Sequence, residues 1–83
     1  MSVESAAAIR AGLDRAHWTA IDLWRASLGI GGAFSTADIE QFASGRRAAT
    51  QIEHDILAAA LNDHFTERGE DHPVHYWRQL KLP

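Results

Sequence analysis

Apolar residues return every three or four positions in three stretches of this 83-residue chain. The first runs Ile9, Leu13, Ala16, Ala20, Trp24 and Leu28, the stripe of an amphipathic helix. Ser2 is placed to cap its start and Gly29 to end it. Gly12 lies inside the pattern, so the stretch is either one helix or two, over 3–11 and 15–28. Gly29-Ile30-Gly31-Gly32 reads as a loop. Ser35, with Asp38 three residues on, then opens a short helix over 36–44 that Gly45 stops. Phe34 and Ile39 fit a hydrophobic staple across its first turn, and Ile39 and Phe42 face the core. Thr50 with Glu53 is a capping box for the third stretch. Its stripe is Ile52, Ile56, Leu57, Ala60, Leu61 and Phe65, ending at Gly69.

Strand signals are nearly absent: Val occurs twice, and no run alternates apolar with polar residues. The pattern therefore predicts one all-α domain over 1–83, a compact bundle of four to five short helices. The tail over 70–83 docks on the body through Val74, Tyr76, Trp77, Leu80 and Leu82, with room for a last helical turn. His72 precedes Pro73 and is expected to be extended.

Composition narrows the class. Hydrophobic residues make up 46% of the chain, too many for a disordered segment. The absence of cysteine excludes disulfides and thiolate metal sites and fits a reducing cytoplasm. The N-terminus has neither the basic nor the apolar region of a secretory signal, and no apolar run approaches the roughly 18 residues of a membrane span. The expectation is a cytoplasmic protein with no membrane partner. The net charge is −3, and residues 35–69 hold all of it, with three Arg against six acids. Nucleic-acid binders usually carry a basic surplus.

The segment from Phe34 to Arg47 joins a short capped helix to a Ser44-Gly45-Arg46-Arg47 turn, and the next helix contains Ile56-Leu57-Ala58-Ala59-Ala60-Leu61. Over roughly residues 19–61 this resembles the phage-repressor type of helix-turn-helix DNA-binding domain. The resemblance implies a small transcriptional regulator that binds double-stranded DNA as a homodimer. Residues 19–29 would be the scaffold helix. Ser35, Thr36, Asp38 and Gln41 would face the major groove, and Arg46 and Arg47 would contact phosphates.

A second reading starts from the aromatics. Trp18, Trp24, Tyr76 and Trp77 are a heavy load for so short a chain. Left exposed, Trp18, Tyr76 and Trp77 would mark the surface of a protein-interaction module, a small adaptor or inhibitor with a protein partner. Folded back, the two indoles of Trp18 and Trp77 would pack together in a mini-core.

Enzyme signatures are missing, so no catalytic residue, cofactor or metal is expected. Gly29-Ile30-Gly31-Gly32 lacks the strand and lysine of a phosphate loop, and there is no nucleophile elbow. The five histidines, His17, His54, His64, His72 and His75, show no metal-ligand spacing and read as solvated or capping residues.

Overall fold

A computed structural model describes residues 3–80, and the side chains from residue 4 onward. The expected cap at Ser2 and the apolar anchor at Leu82 lie outside the described residues. The fold is an all-α bundle of four helices: α1 over Val3–Ala16, α2 over Ala20–Leu28, α3 over Thr36–Ser44 and α4 over Gln51–Glu67. A single 3₁₀ turn, Trp77–Gln79, follows in the tail, and no strand occurs among the described residues. α1 and α2 each pack against both α3 and α4. Ile9, Leu23, Ile39, Phe42, Leu57, Leu61 and Phe65 meet at the centre, all fully buried.

The first stretch is two helices, and the break falls at His17–Thr19 rather than at Gly12. α1 closes in a Schellman turn: Trp18 N–H donates to Leu13 C=O at 2.9 Å and His17 N–H to Asp14 C=O at 3.2 Å. His17 occupies the left-handed position with φ of 56°, a place glycine fills without steric cost. His17→Gly should therefore stabilise the chain by up to about 1 kcal/mol, readable as a higher midpoint in urea. Thr19 then starts α2 with a capping box, accepting from Asp22 N–H while the Asp22 carboxylate accepts from Thr19 N–H at 2.9 Å. Gly12 stays inside α1 for reasons of space. A Cβ there would stand 2.8 Å from Leu61 Cδ1 and 3.0 Å from Val74 Cγ2.

The break re-phases the apolar stripe. In α2 the fully buried residues are Leu23 and Ser27, so Trp24 is half-buried and Leu28 is 50% exposed. Leu28 was expected inward, on the assumption that one stripe runs through to the loop. Ile52 is a second departure: it sits in the first turn of α4, ahead of the packed segment, and is 73% exposed.

α3 and α4 begin at the capping boxes read from sequence, Ser35–Asp38 and Thr50–Glu53. Gly45 ends α3 in the left-handed conformation at φ of 79°. Beyond α4, His72 adopts φ of 48°, not the extended geometry expected before proline, and the chain turns there to bring Val74 against α4.

Polar pairs then hold the tail. The Asn62 amide is fully buried and makes both hydrogen bonds of a backbone-like pair: its Nδ2 donates to Val74 C=O at 2.8 Å, and its Oδ1 accepts from Val74 N–H at 2.9 Å. His54 Nε2 donates to His75 C=O at 2.9 Å, and Asp55 accepts from Trp77 N–H at 2.8 Å. His54 is fully buried and His64 packs tilted against Trp18, where solvated or capping histidines were expected from sequence.

Candidate functional site

Of the six residues assigned to DNA, Ser35, Thr36 and Asp38 border one hollow and Gln41 and Arg46 another. Ser35 and Asp38 are occupied with each other: Asp38 N–H donates to Ser35 Oγ at 3.0 Å, and Asp38 Oδ2 accepts from Ser35 N–H at 3.0 Å. Arg47 turns back over the helix. Its guanidinium lies 2.8 Å from Asp38 Oδ1, 3.9 Å from Glu53 and 5.0 Å from the centre of the Phe42 ring. Gln41 and Arg46 border their shallow hollow of about 320 Å³ together with Glu40. Arg46 has no ion-pair partner among the described residues, but Glu40 shares its hollow. The link between α2 and α3 covers residues 29–35. A DNA-binding helix-turn-helix joins its helices by about 3–4 residues.

The ionisation of Asp38 is displaced downward. The Ser35 backbone N–H, the Ser35 hydroxyl and the Arg47 guanidinium stabilise its carboxylate and hold it below the ordinary value of 3.8. A carboxylate depressed in the folded chain contributes stability that is complete above its unfolded value and lost as pH falls through the folded one. The Ser35 and Asp38 amides, followed by NMR, should keep their capped shifts down to that ordinary range and lose them only below it. In Arg47→Ala the loss should begin at higher pH.

The aromatic residues are placed differently from either sequence expectation. Trp18 and Trp77 do not pair with each other; each finds a histidine of α4. Trp18 lies 4.5 Å from the His64 ring, and Trp77 lies 6.0 Å from the His54 ring. Tyr76 packs against the core, and all three are half-buried. Trp18, Tyr76 and Trp77 thus hold the tail and the α1–α2 corner rather than forming an exposed patch.

Apart from Ile52 on α4, the exposed large apolar side chains lie on α2 and the loop just after it. Ile21 and Leu28 are each 50% exposed and Ile30 is 39% exposed. With half-buried Trp24, Ile21 and Leu28 form a stripe at spacings of three and four residues. Ile21 and Trp24 open into a hollow of about 740 Å³ whose other walls are Ala33, Phe34, Ser35, Thr36 and Asp38. So Thr36, assigned to a DNA groove from sequence, borders an apolar depression. The surface had a signal in the sequence. In α2, Ala20-Ile21-Asp22-Leu23-Trp24-Arg25-Ala26-Ser27-Leu28, polar residues are too few to clothe the side that Leu23 and Ser27 leave outside.

One buried pair has the composition of a nucleophile and base. Ser5 Oγ lies 2.6 Å from His54 Nδ1, but Ser5 and His54 are only 1% and 0% exposed. Because His75 C=O can only accept, Nε2 donates to it, and Nδ1 shares the second hydrogen bond with the Ser5 hydroxyl. The pair ties α1 to α4 and the tail, closed off from solvent.

No group of three or more metal-ligating side chains occurs among the described residues, and no described helix is long and apolar enough to cross a membrane. No family model, curated protein or solved structure matches the chain.

Proposed function

We propose that this protein is a non-enzymatic protein-interaction module whose working surface is the outer face of α2 and its junction with α3. The observation that carries this reading is the contiguous apolar stripe of Ile21, Trp24 and Leu28 beside the hollow walled by Phe34. Isolated exposed leucines are ordinary, but a helical stripe continuous with a depression gains free energy only when something covers it. Half-buried Trp24 and Phe34 give that depression aromatic walls, the kind of pocket that anchors a partner side chain.

The DNA-binding reading has less to stand on. Its phosphate contacts need free positive charge, and of its two arginines Arg47 is held by Asp38 and Glu53, which leaves Arg46, in a hollow that Glu40 also lines.

Labelled duplex DNA titrated with the folded protein at low salt is the first test. No rise in anisotropy is expected, and Arg46→Ala with Arg47→Ala should change nothing. Binding that weakens with salt and is lost in that double variant would overturn the proposal in favour of a regulator.

A further inference from the structure

We propose that the partner covering the α2 face is a second copy of this chain, with the two α2 helices antiparallel about a two-fold axis. This deepens the interaction reading above and rests on it.

The inference comes from two charges that the fold leaves unused. Arg25 is exposed and has no ion-pair partner among the described residues. Asp22 spends only Oδ2 on Thr19, through the backbone N–H at 2.9 Å and the hydroxyl at 3.2 Å. Its Oδ1 has no hydrogen-bond partner among the described residues. At 3.6 residues per turn, Arg25 and Asp22 fall about 40° and 100° to one side of Ile21, and Trp24 about 60° to the other. Both charges therefore flank the same edge of the apolar stripe, with Trp24 along the opposite edge.

A two-fold axis lying in the contact plane sets like edges against each other while reversing the helix direction. With the axis midway between positions 23 and 24, Asp22 of each subunit meets Arg25 of the partner subunit. Two complementary ion pairs then form along one edge, the Trp24 rings lie along the other, and the stripes of Ile21 and Leu28 cover each other between them. A parallel arrangement would not set Asp22 against Arg25 in both directions. α2 has nine residues and is about 13 Å long, so the interface is small and the dimer dissociates on dilution.

Sedimentation equilibrium of the full chain across a wide concentration range tests this, with circular dichroism confirming that each variant is folded. The wild type should approach twice the chain mass as concentration rises. Ile21→Asp with Leu28→Asp should stay monomeric. Arg25→Glu and Asp22→Arg should each weaken association by roughly tenfold or more, because like charges then face each other, and mixing the two should restore it as a heterodimer. A wild type that remains monomeric would overturn the proposal. So would a dimer that survives Ile21→Asp with Leu28→Asp, or charge variants that fail to complement each other. If the chain is monomeric yet holds another protein that the Ile21→Asp, Leu28→Asp variant releases, the α2 reading stands without the second copy. If it does neither, both fall.

Discussion

Replacing His54 with alanine should be among the most damaging single changes in this chain, costing about 3–5 kcal/mol in denaturant unfolding. The ring is fully buried and joins three elements at once: Ser5 on α1, α4 itself and the His75 carbonyl of the tail. Removing it leaves a cavity beside Trp77 and strands a buried hydroxyl together with a backbone carbonyl. His54→Phe separates these causes. It restores most of the volume but neither hydrogen bond, so it should remain well below wild type in stability. If His54→Phe matched the wild type, cavity formation alone would account for the loss and the polar brace would carry no weight.

Asn62→Ala should cost about 2–4 kcal/mol and release the tail. The Asn62 amide satisfies both the N–H and the C=O of Val74, and Val74 is itself only 4% exposed. Without the amide, those two groups must stay unpaired or return to water by undocking. Undocking sets the upper limit of the cost, since the bundle of α1 to α4 retains its own core. Hydrogen exchange reads the outcome directly: the Val74 and Trp77 amides should lose protection far more than those in the middle of α4. Asn62→Asp should fail as well. Its carboxylate can still accept from Val74 N–H, but it faces the Val74 carbonyl with no proton to donate. Uniform loss of protection along α4 in Asn62→Ala would contradict this local role.

These two braces were invisible in the sequence, and the reason is distance along the chain. His54 meets Ser5 across 49 positions and Asn62 meets Val74 across 12. No periodicity encodes such partners. The starts and stops of α3 and α4 were readable because Ser35–Asp38, Thr50–Glu53 and Gly45 act within one turn of the helix they bound. The α1–α2 break was harder. It uses a histidine where glycine would have been a marker, while Gly12, which looked like a break, is small because Leu61 and Val74 press against it.

The candidate site followed the same division. Ser35, Thr36, Asp38, Gln41, Arg46 and Arg47 read as one element through the resemblance of a short capped helix and its Gly-Arg-Arg turn to a helix-turn-helix. In the fold, Asp38 is taken up by Ser35 and Arg47, while Gln41 and Arg46 border a separate hollow. The α2 face is hidden in the sequence because the apolar spacing runs unbroken from Ile9 through Trp24 to Leu28. Once the helix breaks at His17, Leu23 takes the inner position, and Leu28 joins Ile21 outside.

The most direct test of whether α2, rather than the α3 turn, is the working surface is paired photo-crosslinking in cells. A photoreactive residue is placed at Ile21 in one chain and at Arg46 in another, both exposed positions. A discrete protein adduct from position 21, with none from position 46, is the expected result. An adduct to DNA or protein from position 46, with nothing from 21, would contradict it and return the working surface to α3 and its arginine turn.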